Sequence, residues 1–182
     1  MRPLLLFARM ITIELPRGMD LPAELARASL LRFLRLARAA VGLEGEVHVL
    51  LADDATLRRL NRQFRGKDKA TDVLSFPAGA STAFFAEKEL AGDLAISLET
   101  AAKQAKKFAH TLAEEVRVLL LHGLLHLAGF DHEQDEGQMA ARERELRSEL
   151  GLPGGLIERV HKPAARVHKP VVRKAARKKV RA

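Results

Sequence analysis

The run His122-Gly-Leu-Leu-His126-Leu-Ala-Gly129-Phe-Asp131-His132 decides the fold of the second half of this chain. Positions four apart lie on one face of a helix, so His122 and His126 can present imidazole nitrogens to one cation. Gly129 suits the left-handed conformation that ends many helices, and His132 then returns toward the same point from the turn. Three protein ligands with a fourth position open are typical of a catalytic zinc site rather than a structural one.

The types of ligand in the chain restrict which metal ions can bind. The chain contains no cysteine, which excludes a thiolate zinc site and a disulfide framework. Imidazole ligation fits a single Zn²⁺ best, although nickel, copper or iron can occupy the same nitrogens. The alternative is that the three histidines are hydrogen-bonded structural residues, but their spacing and the glycine after them favour metal binding.

The overall composition predicts one globular domain. The chain has 182 residues, of which 47% are hydrophobic, enough to bury a core. An apolar segment at residues 3–8 is too short to span a membrane and lacks the features of a signal peptide. We therefore expect a cytoplasmic protein without membrane contact.

The positive charge is concentrated at the C-terminus. The formal net charge is +8, but ten Lys and Arg residues and no acidic residue follow Glu158. Residues 1–158 therefore carry 21 bases against 23 acids. The terminal stretch repeats with a spacing of seven residues and contains Pro163 and Pro170, which interrupt helices. We expect a metal-dependent hydrolase domain at residues 1–157 and a basic, disordered tail at residues 158–182.

A cationic arm of this kind attracts polyanions. Neutralising phosphates releases counterions, so nucleic acid is the expected partner of the tail and its binding should depend steeply on salt. A solubilising tail without a specific partner is the alternative, because basic arms carry no sequence information by themselves.

Hydrophobic periodicity predicts four strands followed mainly by helices. The predicted strands are residues 10–15, 46–52, 71–76 and 93–97. The predicted helices are residues 22–41, residues 53–63, a helix that begins at Ser97 or Glu99 and runs to about Phe108, a helix from 111 through the histidine run, and residues 134–150. Asp20 is the expected cap of the first helix, and Thr111 and Glu114 form a capping box for the fourth. The expected fold class is α+β, with a small mixed four-stranded sheet packed against about five helices.

Two further stretches accompany the histidine run. They read Leu60-Asn-Arg-Gln-Phe-Arg65-Gly-Lys-Asp-Lys-Ala-Thr71-Asp72-Val-Leu-Ser75-Phe-Pro77 and Gly92-Asp93-Leu-Ala-Ile-Ser97. With all three in this order, the chain resembles the bacterial YbeY family of endoribonucleases, or rRNA maturation factors, over roughly residues 11–150. The tail lies outside the resemblance.

The resemblance implies a function and a set of site residues. It implies a zinc-dependent, single-strand-directed RNA hydrolase that acts in 16S rRNA 3′-end maturation and ribosome quality control, with rRNA and the ribosomal subunit as partners. His122, His126 and His132 match the metal ligands of the family, and Arg65 matches its functionally important arginine. The resemblance thus makes Arg65 and His122 the candidate catalytic residues.

The basic stretch around Arg65 suits phosphate chemistry. A planar guanidinium can bind two phosphate oxygens and offset the charge that grows in the transition state. Lys67 and Lys69 add positive potential, so all three residues are candidates for substrate binding. The alternative is an ordinary solvated basic loop.

Four other residues have less certain roles. Asp72 and Ser75 fit either a turn or a contact with the metal ligands, and Asp93 is a candidate to orient a ligand histidine through its far ring nitrogen. Asp131 is the carboxylate nearest to the ligands in sequence. It can assist proton transfer, cap the turn or hold a ligand, and the general base stays unassigned.

Three functions compete at this point. A metal-dependent ribonuclease would use the metal to activate water or to polarise a phosphoryl oxygen. A metallopeptidase shares the histidine spacing of the metzincins, but the glutamate that serves as general base there is Gly123 here. A noncatalytic ribosome-assembly factor would use a structural metal and hold rRNA with its basic arm. Phenylalanine is the only aromatic residue, so few stacking platforms exist for sequence-specific RNA reading.

Overall fold

The computed structural model describes residues 11–78 and 90–153, and the predicted fold class is confirmed there. The elements are β1 (Ile11–Glu14), α1 (Arg27–Val41), β2 (Glu46–Ala52), α2 (Asp54–Arg65), β3 (Val73–Pro77), β4 (Leu90–Ser97), α3 (Leu98–Phe108), α4 (Leu112–Leu127) and α5 (Gln138–Glu149). The tail predicted at residues 158–182 and the apolar segment at residues 3–8 lie outside the described residues. No helix in the described ranges is long and apolar enough to cross a membrane.

The sheet is mixed and has the strand order β1-β2-β4-β3. The first three of these strands are parallel, whereas β3 pairs with β4 in the antiparallel direction at the edge of the sheet. Asp93 of β4 lies opposite Phe76 of β3. The short β3 therefore forms the edge of the sheet next to the functional site described below.

The main core lies between one face of the sheet and the helices α1, α4 and α5. It contains Val49 and Ile96 from the sheet, Leu34 from α1, and Leu120 and Leu124 from α4, all with at most 1% of their surface exposed. Helix α4 is buried on most of its sides. Side chains on it therefore sit on a rigid support, which a metal centre requires.

The opposite face of the sheet carries a smaller cluster under α2. Its buried members are Ala52, Leu57, Leu74 and Ala95. Helix α2 covers only part of this face and ends near β3. The end of α2 is therefore placed beside the edge strand.

Several predicted boundaries were wrong, including the start of the third strand, which is Val73 and not residue 71. Helix α1 begins at Arg27 and not at residue 22, its N-cap is Ala26 without a side-chain hydrogen bond, and Asp20 does not cap it. Residues 22–25 instead form a separate turn, in which the Leu25 N–H donates to the Pro22 carbonyl. Strand β4 begins at residue 90, three residues before the predicted start, and α5 begins at residue 138 rather than 134.

The predicted N-terminal cap of α4 is confirmed. Thr111 and Glu114 form the expected capping box, in which each side chain accepts a hydrogen bond from the backbone of the other. Asp53, predicted to begin α2, is its N-cap and accepts a hydrogen bond from the Thr56 N–H.

Candidate metal centre

His122 and His126 lie one turn apart on the last part of α4. Their Nε2 atoms are 3.2 Å apart, so both rings point toward one place. His122 is 4% exposed and lies on the buried side of the helix, whereas His126 is partly exposed. The helical spacing brings the two imidazoles together as predicted.

The turn after α4 returns His132 to the other two histidines. Gly129 has φ +90°, its N–H donates to the His126 carbonyl, and the Phe130 N–H donates to the Leu125 carbonyl. These two bonds form the Schellman motif, which ends a helix with a residue in the left-handed conformation. The His132 ring centroid then lies 5.2 Å from those of both His122 and His126.

Asp131 stabilises this turn. Its Oδ1 accepts a hydrogen bond from the Glu133 N–H, and its Oδ2 accepts one from the Gln134 amide. The structure therefore shows Asp131 in one of its predicted roles, as a cap of this turn.

The three histidines fit a single divalent ion. One ligand nitrogen from each lies within 4.8 Å of the others. Zinc–nitrogen bonds of about 2.0–2.1 Å in a tetrahedral site place ligand nitrogens about 3.3 Å apart, close to the separation of His122 and His126. Burial, together with the proximity of His122 and His132, lowers the pKa of His126 to about 4. Its imidazole is neutral at pH 7 and keeps a lone pair for a metal.

Glu143 of α5 supports His122 from behind. It is 1% exposed, and its Oε1 lies 3.5 Å from the Nδ1 of His122, on the ring edge away from His126. The hypothesis that Asp93 orients a ligand histidine is wrong. Asp93 lies on β4 with its Oδ1 3.3 Å from the Nδ1 of His48, outside the centre.

The three histidines form one wall of an open cleft of about 790 Å³. The opposite wall comes from the end of α2, the strand β3 and the end of α3. The charged and aromatic residues that line the cleft, besides the histidines, are Phe64, Arg65, Asp72, Phe76, Lys107, Phe108, Phe130, Asp131 and Glu133. The centre is therefore open to solvent and accessible to a large ligand.

Arg65 is the last residue of α2 and faces the histidines across this cleft. Gly66 ends the helix, and the Arg65 side chain is 46% exposed, with its guanidinium 3.9 Å from the Glu133 carboxylate. The structure thus brings Arg65 and the three histidines into one cleft. Lys67 and Lys69 are exposed in the following loop and are not among the residues that line it.

A hydrogen-bonded cluster around Asp54 joins α2 to α3. The Asp54 carboxylate accepts hydrogen bonds from the hydroxyls of Ser97 and Thr100 and from the Lys103 ammonium. Burial alone would raise the pKa of Asp54, but these hydrogen bonds outweigh it and lower the pKa to about 2. The cluster therefore fixes the relative positions of the two helices that form the wall opposite the histidines.

Asp72 and Ser75 have structural contacts at this wall. Asp72 accepts hydrogen bonds from the Val73 N–H and from the Gln104 amide of α3, both at 2.9 Å. The Ser75 hydroxyl lies 3.4 Å from the Gly123 carbonyl of α4 and donates to it. Both residues anchor β3 to its neighbouring helices.

Gly123 is packed directly against the sheet. A Cβ atom at this position would lie 2.7 Å from the Leu94 Cδ2 and 3.4 Å from the Ser75 Oγ. Leu94 is buried, with 1% of its surface exposed. A glutamate at position 123, as in the metzincins, would therefore collide with the sheet.

Sequence reasoning missed Glu143, which lies behind His122, and several residues that line the cleft, including Phe64 and Lys107. Glu143 had a usable signal, since it occupies a position four residues after Met139 and three before Leu146, in the apolar stripe of a predicted helix. Phe64 is an exposed apolar residue beside Arg65, and this too is visible in the sequence. Lys107 had no signal, because only the packing of α3 beside β3 brings it to the cleft.

The fold and the centre define a class: a small α+β protein with an open three-histidine site suited to a metal. Residues 20–151 match the family model described as endoribonuclease YbeY. The chain belongs to the endoribonuclease YbeY family. Its membership confirms the endoribonuclease function in rRNA maturation that the resemblance implied.

Curated relatives agree with this assignment. The endoribonuclease YbeY of Koribacter versatilis is 52% identical over 147 residues, which cover 81% of this chain and 92% of that protein. The endoribonuclease YbeY of Solibacter usitatus is 51% identical over 139 residues, covering 76% and 89% respectively. Among solved structures, the solution structure of TM1509 from Thermotoga maritima matches with a TM-score of 0.50 and 28% identity, covering 78% of this chain and 89% of that one.

Proposed function

We propose that this chain is a zinc-dependent endoribonuclease that cleaves single-stranded RNA in the maturation of the 16S rRNA 3′ end and in ribosome quality control. The observation that carries the proposal is the cleft itself, with three converging imidazoles on one wall and the Arg65 guanidinium on the other. RNA within the ribosomal subunit is the substrate, and the cytoplasm is the place of action.

His122, His126 and His132 would hold one zinc ion. Bound there, zinc supplies a Lewis acid that activates water for attack on a phosphodiester. His122 has two contacts that suit a ligand, since its Nε2 faces His126 while its Nδ1 faces the buried Glu143. A carboxylate in this position fixes the tautomer of a ligand histidine and increases its basicity.

Arg65 binds the phosphate that is cleaved. Its guanidinium offers paired N–H donors to two phosphoryl oxygens and offsets the negative charge that develops on them. The 3.9 Å separation from Glu133 is too long for a strong hydrogen bond, so Arg65 can turn to a phosphate at little cost. Lys67 and Lys69 follow in the exposed loop and bind neighbouring phosphates outside the cleft.

The hydrolase domain comprises residues 1–157, and the basic tail at residues 158–182 adds a second contact with RNA. Ten cationic residues after Glu158 give the tail its affinity for phosphates, independent of sequence. Selectivity then comes from RNA shape and from the ribosomal subunit.

A peptidase is disfavoured by the packing around Gly123. The position that carries the general base in the metzincins points into the sheet here, against Leu94 and Ser75. Peptide hydrolysis at this centre would lack that proton acceptor.

Metal analysis combined with cleavage assays tests the proposal. We expect one zinc per chain in the wild type and in His48→Ala, a control whose imidazole lies on β2 outside the cleft. Both proteins should cleave single-stranded RNA, and His126→Ala should lose both zinc and cleavage. A wild-type protein that contains zinc and does not cut RNA would instead indicate a structural metal in a noncatalytic assembly factor. Cleavage of casein that stops with a chelator would indicate a peptidase.

A further inference from the structure

The phenylalanines of the described residues are concentrated at the cleft. Phe33 lies in the main core, and the other four, Phe64, Phe76, Phe108 and Phe130, line the cavity that contains the histidines. Aromatic residues in a small protein usually serve the core. The presence of four phenylalanines around a polar, open cleft therefore indicates a ligand with an apolar face.

Phe64 is the most exposed of these rings. It is 57% exposed, although it precedes Arg65 directly at the end of α2. An exposed aromatic ring beside a phosphate-binding guanidinium matches the two chemical parts of a nucleotide, its base and its phosphate. Because the two residues are consecutive, a single nucleotide or two neighbouring ones can reach both.

The Phe64 ring is held by a neighbour and is not a free surface side chain. Its centroid lies 5.0 Å from that of Phe76, with an angle of 67° between the rings, an edge-to-face arrangement. Phe76 belongs to β3 and packs on the smaller cluster under α2. Both rings also line a second cavity of about 400 Å³ on the adjacent sheet face, so they form the ridge between the two cavities.

We propose that Phe64 is a stacking platform for an unpaired base next to the phosphate that is cleaved, with Phe76 as its support. The inference rests on the proposed ribonuclease function and names the substrate feature that the cleft selects. A phenylalanine ring has no hydrogen-bonding groups, so it accepts any base through its π-face and reads no sequence. A paired base is not available for stacking, so the platform selects single-stranded segments.

A tryptophan probe tests the stacking directly. The chain contains no tryptophan, so Phe64→Trp introduces a single indole. The matched control is Leu36→Trp, because Leu36 is 63% exposed on α1 and lines neither cavity. In stopped-flow mixing before turnover, single-stranded RNA should quench Phe64→Trp strongly, whereas an abasic ribose-phosphate oligomer should not. Leu36→Trp should respond to neither.

Three results of this titration would overturn the proposal. One is equal quenching by the RNA and the abasic oligomer. Another is no quenching at RNA concentrations that saturate the protein by an independent binding assay. The third is quenching by an apolar peptide and not by RNA, which would assign the ridge to a protein ligand.

Kinetics separate stacking from a structural role. Phe64→Ala should raise the KM for single-stranded RNA about tenfold, with a smaller change in kcat. Phe64→Tyr should restore the KM, and Phe64→Leu, which keeps apolar bulk without a π-face, should not. Rescue by leucine would contradict the proposal. If the wild type fails to cleave RNA, the ribonuclease function fails, while the fluorescence titration still decides whether bases stack on this ring.

Discussion

The Nδ1 of His122 lies 3.5 Å from the Oε1 of Glu143, and both side chains are almost completely buried. The contact joins two helices, α4 and α5, directly behind the metal centre. A buried carboxylate facing one nitrogen of an imidazole leaves the other nitrogen as the ligand atom. For His122 that other atom is Nε2, which faces His126.

Glu143→Gln should weaken zinc binding by about 10–100-fold, because an amide orients the imidazole less firmly and does not increase its basicity. Competition with a chromogenic chelator measures the affinity. Glu145→Gln is the matched control, since Glu145 lies on the same helix and is 68% exposed. Equal zinc affinity in the two variants would show that the contact with His122 does not tune the centre.

Arg65→Ala should lower kcat for RNA cleavage by about 100-fold, the typical cost of removing one donor that stabilises transition-state charge. Zinc content should not change, because Arg65 lies across the cleft from the histidines. Arg62→Ala removes the same charge three residues earlier on α2, outside the lining of the cleft, and should have little effect. Normal turnover of Arg65→Ala would remove this residue from the mechanism.

Removal of the metal should weaken RNA binding as well as cleavage. The charged residues that line the cleft are Arg65, Lys107, Asp72, Asp131 and Glu133, two cations and three carboxylates. The formal charge of these five residues is therefore −1, and a bound divalent ion changes it to +1. Fluorescence anisotropy with labelled RNA, with and without zinc, measures the difference. His126→Ala should bind RNA equally in both conditions, and a wild type that does so would contradict the argument.

The Asp54 cluster should make stability depend on pH in the acid range. Because the pKa of Asp54 is lowered from its ordinary value to about 2, the folded state favours the ionised form. Its contribution, about 2 kcal/mol, is complete above the unfolded-state pKa and is lost as the pH falls from about 4 through about 2. Urea unfolding should show Asp54→Asn less stable than the wild type by about this amount at pH 7. The difference should disappear near pH 2, and a constant difference would assign the loss to another cause.

Removal of residues 159–182 should flatten the salt dependence of RNA affinity. Ten cationic residues are lost, and each phosphate contact that they make releases counterions on binding. The zinc content should stay at one ion per chain. The slope of log affinity against log salt concentration is the measurement, and an unchanged slope would refute a nucleic-acid role for the tail.

Much of the centre could be predicted from local sequence. The spacing of His122 and His126 fixes their common helix face, and Gly129 supplies the left-handed conformation that the return of His132 requires. The strands were recognisable from their periodicity. These features depend on residues within one or two turns of each other. At that range the sequence spacing determines the relative positions of the side chains.

Contacts between distant segments could not be predicted in the same way. Asp93 is adjacent to the family motif in sequence, but its strand places it beside His48. Glu143 reaches His122 from a separate helix, and Lys107 reaches the cleft because α3 packs beside β3. The start of α1 was also misplaced, since residues 22–25 satisfy their hydrogen bonds in a local turn. The errors at Asp93, Glu143 and Lys107 concern tertiary packing, which periodicity does not encode, whereas the start of α1 depends on a local turn.

The close approach of Gly123 to Leu94 also constrains the evolution of this scaffold. A single codon change from glycine to glutamate would put a carboxylate against a buried leucine, and a proton acceptor beside the metal would require the helix to move away from the sheet. The contact between Gly123 and Leu94 thus distinguishes this centre from that of the metzincin peptidases, which have the same histidine spacing.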